Sequence, residues 1–365
     1  MKRKLALLLA LCLLLCACGR QPNQTDSTGS STQDSTEDTA QKNTEEATLH
    51  TEATKPVVRY RHPLTGAPLE TPWSGQVTAV MINNLKKAMP QKGISQADIF
   101  YEIEVEGDIT RCLAVFSDLS KVSDIGPVRS ARTVFNSVAV SFEAPLVHCG
   151  GSPGLALVGR YGASNDRIAN WEHIDQAYNG NYFYRDYERY NSGYAWEHVL
   201  FTTGEKLQAA MEANGYYTPS QSSYGLEFAE NVQLDGEAAT EITVKFKGGK
   251  TTTLTYNADT GLYKLYQHGQ DHVDGNTGEV VTFKNVIAIY TDQWYAPDGM
   301  HKFYESIGSG EGYAAINGKI VPIRWNREGL RTPYTYTLED GTPLTLDVGT
   351  TYVALVGTRH PISYQ

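Results

Sequence analysis

The sequence predicts an α+β (or α/β) N-terminal domain with a mixed sheet, followed by a mostly antiparallel, β-rich C-terminal domain. Two changes of texture and one length carry that expectation. Up to about residue 222, apolar runs of strand length alternate with stretches whose apolar residues recur every three or four positions, the mark of strands mixed with helices. Beyond the polar stretch "TPSQSSYG" the chain becomes short β-branched runs divided by turn pairs, the mark of hairpins. The 309 residues after position 56, out of 365, suit two domains of ~100 to 200 residues each. The expected domains are 57–222 and 223–365.

The first residues read as a leader. Lys2, Arg3 and Lys4 precede an apolar run from Leu5 to Leu15, too short to span a bilayer but right for a secretory signal over 1–17. Leu15-Cys16-Ala17-Cys18 resembles the lipobox of bacterial lipoproteins, which implies cleavage before Cys18 and lipidation of that residue, placing the protein on the extracytoplasmic face of the membrane. Residues 18–56 are Ser, Thr, Gln, Asp and Glu with almost nothing apolar, the composition of a disordered tether. Seven acidic and six basic residues precede position 57, so the remainder carries −9 of the chain's −10. With no basic excess or basic run, nucleic acid is excluded as a partner.

In the first domain, "VTAVMI" (77–82) predicts a buried strand, and "DIFYEIEV" and "ITRCLAVF" predict a hairpin turning at "EGD". Glu102 and Glu104 share a face there, with Arg111 expected opposite one of them. "IGPVRSARTVF" (125–135) predicts a helix starting at Pro127, because proline suits the first helical position and Val128, Ala131, Phe135, Val138 and Phe142 follow at helical spacing. Arg129, Arg132 and Asn136 would share its other side. Two guanidinium groups at the positive end of a helix dipole call for a counter-charge. It is either the protein's own Asp124, Asp108 or Glu104, or an anion from outside.

"APLVHCG" predicts a further strand, and a helix follows from about Gly154 to Tyr161. "HCGGSPG" fits the G-x-S-x-G nucleophile elbow in spacing, but the residue after Ser152 is Pro153, which has no N–H for an oxyanion. His148, Ser152 and the glycine N–H groups would instead cradle an anion. If strands 109–116 and 145–149 are neighbours, Arg111, Arg129, Arg132, His148 and Ser152 face one cleft. Residues 171–201 are loop-rich and aromatic, suited either to stacking on sugar rings or to plain packing. "TTGEKLQAAMEANG" predicts a helix stopped by Gly215.

In the second domain, "EITVKFKGG" pairs with "TTTLTYN", "NVIAIYTDQWY" is a strand, and "YAAINGKIVPIRW" is an Asn-Gly hairpin. "DHVDGNTGE" (271–279) fails the calcium-loop spacing and reads as a polar turn. "GSGEG" (308–312) precedes a strand, so it is no phosphate loop. No zinc-type cysteine pairing exists, and neither a metal nor a cofactor is expected. Cys112 and Cys149 sit in apolar strand-like runs, where free thiols and a bridge both remain open.

The runs "HPLTGAP", "VMINN", "QADIFYEIEVEGDITRCLAVF", "IGPVRSAR", "HCGGSP", "YRD", "EHVLFTTGEKL", "GLYKLYQHGQDHVD", "KNVIAIY", "GSGEGYAAINGK" and "DGTPLTLDVGTTYVALV" together resemble the YerB-like lipoprotein family in content and order, from about His62 to Val356. The resemblance implies a two-part exported lipoprotein of unknown biochemical function with no established catalytic set. It also implies a His-Asn pair followed by Leu-Tyr-Thr around 197 to 202; here His198 matches, whereas Val199 and Phe201 replace the asparagine and tyrosine, and Tyr190 to Trp196 departs from the family pattern as an inserted or altered stretch.

The expected role is binding of an anionic or glycan-containing envelope ligand. Arg129 and Arg132 would carry ligand charge, Arg111 and His148 would support them, Ser152 would donate a hydrogen bond, and His198 would line the site. Two alternatives stand beside it. One is an envelope hydrolase or transferase on a phosphorylated polymer, using His148 or His198 as acid or base; the other is a protein-binding module working through sheet edges.

Overall fold

Strand-length runs from both halves of the chain enter a single mixed sheet. In chain order its first strands are β1 (Thr78–Asn83), β2 (Ile99–Glu104) and β3 (Thr110–Phe116); helix α1 (Thr133–Ser141) then leads to β4 (Leu146–His148) and β5 (His173–Asp175). There follow β6 (Tyr184–Arg185), α2 (Tyr187–Asn191), β7 (Leu200–Thr203) and α3 (Gly204–Asn214). The later strands are β8 (Glu237–Ala238), β9 (Glu241–Lys245), β10 (Thr251–Asn257), β11 (Leu262–Gln267), β12 (Asn285–Thr291), β13 (Gly308–Ile316), β14 (Lys319–Arg327), β15 (Thr335–Leu338) and β16 (Thr351–Gly357). The computed structural model describes residues 60–152, 172–216, 224–357 and 362–365. The leader, the tether, Cys18 and the helix expected at 154–161 lie outside the described residues.

The sheet has eleven strands in the order β8-β14-β13-β12-β16-β2-β3-β1-β4-β5, with β15 also paired to β14. β16 lies parallel to both β12 and β2, so the change of texture near residue 222 is not a break in the sheet. β9, β10 and β11 belong to a second, antiparallel sheet. Period-two alternation sends Val80, Ile82, Phe100, Ala114 and Phe116 to one face of the first, where they pack with Ile242, Leu254, Leu265, Leu207 and Met211 from the second sheet and α3. Ala79, Met81, Ile103, Leu113 and Val115 pack on the other side with Phe135 and Val138 of α1. A sheet covered on both faces explains why its strands read as continuous apolar runs. The described chain is mostly strand, and its N-terminal part holds less helix than an α+β domain suggests.

Several local expectations hold. Asn317 and Gly318 turn β13 into β14 with φ of 50° and 76°, as a type I′ hairpin requires. Thr203 caps α3 by accepting from Lys206 N, and Gly215 ends it at φ 70°. Cys112 and Cys149 are free thiols, Cys112 fully buried.

Other expectations need correction. The helix begins at Thr133, not Pro127, because the backbone from 126 to 131 is claimed by neighbours on every side. Gly126 N donates to Lys92 O, Val128 N to Leu200 O, Arg129 N to Met81 O and Ala131 N to Gly150 O. Val128 and Ala131 are buried by these bridges, so their helical spacing to Phe135 was coincidental. Arg111 pairs with Ile103, and therefore lies on the opposite face from Glu102 and Glu104. The polar turn at 271–279 is present and is docked on the 93–95 segment: fully buried Asp274 accepts from Gly93 N (3.2 Å), Ser95 N (2.8 Å), Ser95 Oγ (2.9 Å) and Asn276 N (2.8 Å).

The strongest polar join between the layers is Glu102, fully buried between the two sheets. Its carboxylate accepts from Asn84 Nδ2 (2.9 Å), Thr110 Oγ1 (2.7 Å), Thr252 Oγ1 (2.8 Å), Gln267 Nε2 (2.9 Å) and Tyr352 OH (2.7 Å), with Lys250 Nζ at 3.8 Å. Removing such an acceptor strands several buried donors at once. Glu102→Ala is expected to lower unfolding free energy by about 3 kcal/mol or more in urea titration. Glu311→Ala, which removes an exposed 3.8 Å pair with Arg324, should change it by less than about 0.5 kcal/mol; equal effects would contradict this role for Glu102.

Candidate functional site

The carboxyl ends of parallel strands β1, β4 and β5 form one rim, the place where open α/β sheets present ligand sites. β1 separates β3 from β4 in the sheet, yet the start of antiparallel β3 reaches the same rim because Asn83 pairs with Arg111. The extended segment before α1 crosses the rim: Arg129 N donates to Met81 O in β1, and Arg129 O accepts from Cys149 N just after β4. Arg129 is thus fixed by its backbone between two strand ends.

The three arginines separate sharply. Arg132 donates through Nε to Glu106 Oε2 (2.8 Å), through Nη2 to Glu106 Oε1, and through Nη1 to Ala131 O (2.7 Å). Arg111 donates to the same Glu106 (3.2 Å) and to Ser130 O (2.6 Å). Both arginines are buried. Burial pushes the Glu106 carboxyl up, but the Arg132 hydrogen bond and the charges of Arg111 and Arg132 outweigh it and bring its pKa to about 2. The counter-charge is therefore internal, and it is none of the expected acids. Asp124 binds Lys92 and Tyr184, and Asp108 and Glu104 face Lys302. Glu106 comes from the hairpin turn, where Gly107 at φ 70° folds it back toward the arginines.

Arg129 has no such partner. It is half-buried, and among the described residues its guanidinium makes neither an ion pair nor a hydrogen bond. Its backbone bonds with Met81 and Cys149 place it between the ends of β1 and β4, and its charge adds to the lowering of the Arg111 and His198 pKa values. Like Arg189, Arg185 makes no ion pair with a carboxylate among the described residues. It donates to Trp196 O (2.6 Å) and lies 4.5 Å over the Trp196 ring, and its charge, like that of Arg129, opposes the burial that raises the Cys149 pKa.

The remaining expected residues are held as neutral hydrogen-bonding groups. His198 is buried; its Nδ1 accepts from Asn83 Nδ2 (2.9 Å). Burial lowers its pKa, Glu197 opposes this, and Arg129, Arg189 and Lys87 add to the lowering. The amide that the resemblance implied at position 199 is thus supplied by Asn83, while Val199 and Phe201 are fully buried. His148 Nδ1 donates to Gly150 O (2.8 Å) and its Nε2 meets His173 Nδ1 (3.0 Å). Burial lowers its pKa against the pull of Asp175. Ser152 is buried and its N–H goes to Ala131 O. The Gly150 N–H goes to Asp175 (2.9 Å), so the expected glycine cradle is partly filled from within. Among the described residues no cluster of three or more His, Cys, Asp or Glu is arranged to hold a metal ion.

These features define a two-part mixed-sheet protein that gathers three arginines and two histidines at the ends of its strands. The chain belongs to the family described as protein of unknown function (DUF3048), matching its N-terminal domain over 64–217 and its C-terminal domain over 242–353. It is 28% identical over 304 residues to the Bacillus subtilis (strain 168) protein named "Putative lipoprotein YerB", covering 82% of this chain and 86% of that one. The crystal structure of YerB from Bacillus subtilis superposes with a TM-score of 0.69 at 26% identity, covering 83% of this chain and 99% of that chain.

The depressed Glu106 pKa has a measurable consequence. Because it lies below the ordinary 4.5, its stabilisation is complete above about pH 4.5 and is lost as pH falls toward 2. The urea midpoint should drop less between pH 7 and pH 3 in Glu106→Gln than in the parent protein; an identical drop would contradict the cluster.

Proposed function

We propose that the protein is a lipid-anchored, extracytoplasmic binding protein that takes the anionic group of a cell-envelope ligand at the ends of β1 and β4. The observation that carries this reading is the guanidinium of Arg129, which pairs with no carboxylate among the described residues and is held between two strand ends within a protein of net charge −10. Arg129 supplies the ligand charge and Arg185 a second one. Arg111 and Arg132, already neutralised in part by Glu106, serve to fix the crossing segment. His198, His148 and Ser152 are buried groups that brace the strand ends around it.

The enzyme reading has less support. Both nitrogens of His148 are engaged, and no histidine hydrogen-bonds Ser152 Oγ among the described residues. The sheet-edge reading is weakened by the edges themselves: β8 and β5 are two and three residues long, short strands of the kind that resist pairing with another chain. The anchor rests on the Leu15-Cys16-Ala17-Cys18 pattern, together with the name of the Bacillus relative.

Two experiments test the reading. Inorganic polyphosphate at low ionic strength should raise the melting temperature of the full chain, and Arg129→Gln should abolish the rise while Arg324→Gln, an exposed position, preserves it. Salt should weaken the effect, since the Debye length shrinks from ~30 Å at 0.01 M to ~3 Å at 1 M; an unchanged rise in Arg129→Gln contradicts the proposal. Separately, Cys18→Ser should move the protein from the membrane fraction to the soluble one, and retention in the membrane would contradict lipid anchoring.

A further inference from the structure

Three large aromatic side chains stand exposed in the stretch before β7: Tyr187 is 61% exposed, Tyr190 44% and Trp196 48%. Exposed apolar surface of this size, gathered in one place, marks a contact site rather than ordinary surface scatter. The rings form one group, with the Tyr190 and Tyr187 centroids 5.4 and 6.3 Å from Trp196, both edge-to-face. Their exposure is built in from beneath. Arg189 donates to Ala88 O (2.7 Å) and Pro90 O (2.8 Å), and Tyr194 OH donates to Met89 O (2.9 Å), which ties the loop carrying the rings to the segment after β1. A surface held ready in this way loses little conformational freedom on binding.

The backbone joins this group to the arginine segment. Arg185 lies over Trp196 and pairs with Leu200 between β6 and β7, and Leu200 O accepts from Val128 N, next to Arg129. His198, two residues beyond Trp196, also feels Arg129. None of the exposed large apolar side chains in this stretch is aliphatic, and the hydroxyls of Tyr187 and Tyr190 make no hydrogen bond among the described residues. Flat aromatic faces with polar tips match a ligand that has apolar C–H faces and hydroxyl edges. Uncompensated arginines at the margin match negative charge on that same ligand.

We infer that Trp196, Tyr187 and Tyr190 form a sugar-stacking subsite beside Arg129 and Arg185, so that the ligand is an anionic glycan whose carboxylate or phosphate sits in the cleft while an adjoining sugar ring lies on the aromatic group. This rests on the anion-binding reading above and narrows it to one ligand class. A net-acidic protein whose patch lacks aliphatic side chains is a poor fit to an anionic lipid surface, which attracts basic segments.

The test titrates the full chain with polygalacturonate and with phosphorylated dextran, and separately with inorganic polyphosphate, neutral dextran and anionic phospholipid vesicles. One or both charged glycans should bind more tightly than polyphosphate, and neutral dextran should not bind. Trp196→Ala and Tyr190→Ala should each weaken glycan binding by roughly tenfold while leaving polyphosphate affinity unchanged; Arg129→Gln should remove both. If the aromatic variants bind charged glycan like the parent, or lose glycan and polyphosphate equally, the subsite is overturned and the anion site stands. Vesicle binding lost in Trp196→Ala overturns it in favour of a membrane contact. If no polyanion binds the parent protein, the anion reading falls and the subsite with it.

Discussion

Glu102 is the constraint from which the geometry of this molecule follows. A carboxylate removed from water is tolerated only where donors replace its hydration, and here they come from both halves of the chain: Asn84 and Thr110 from the first, Thr252, Gln267 and Tyr352 from the second. The donors cannot converge unless the two sheets meet in one register. Glu102 therefore ties the layers together at a fixed offset, and Asn84, immediately past β1, is fixed by the same bond.

The site is a continuation of that arrangement. With Asn84 turned toward Glu102, the preceding Asn83 turns to His198, and the backbone of β1 remains open to receive Arg129 N at Met81 O. Glu106, across the hairpin, then takes both Arg111 and Arg132. One acid shared by two arginines leaves that cluster positive by one charge, and Arg129, on the same segment, has no acid partner among the described residues. Charge that has been gathered in this way, inside a protein of net negative charge, is expensive to keep without a visiting anion. Exposed surface aromatics placed directly beside it extend the same surface toward a larger ligand.

The sequence displayed the strands plainly, because a sheet buried on both faces writes itself as uninterrupted apolar runs such as "VTAVMI" and "NVIAIY". Hairpins were equally plain where the turn chemistry is restrictive, as at Asn317-Gly318. Partnership across the chain was not. Nothing local shows that β16 joins β2, or that Asp274 docks on the 93–95 segment. The run 125–135 misled for a specific reason: a bridged extended segment followed by a helix placed its buried residues at helical spacing. Of the site, Arg111, Arg129, Arg132, His148, Ser152 and His198 were all legible as polar residues in apolar surroundings. Which arginine was already neutralised was not, since Glu106 and Asp108 are two positions apart and only the turn at Gly107 decides between them. Arg185 and the Trp196 group were hidden in a stretch whose aromatic content reads equally well as packing.

The central claim is that Arg129 alone among the three predicted arginines is available to an incoming anion. Side-chain Nε–Hε NMR resonances of these arginines, followed during a titration with inorganic phosphate at low ionic strength, test it directly. The account predicts a saturable shift at Arg129 with Arg132 unmoved on Glu106. A titration in which Arg129 stays still, or in which Arg132 moves as far as Arg129 does, would contradict it.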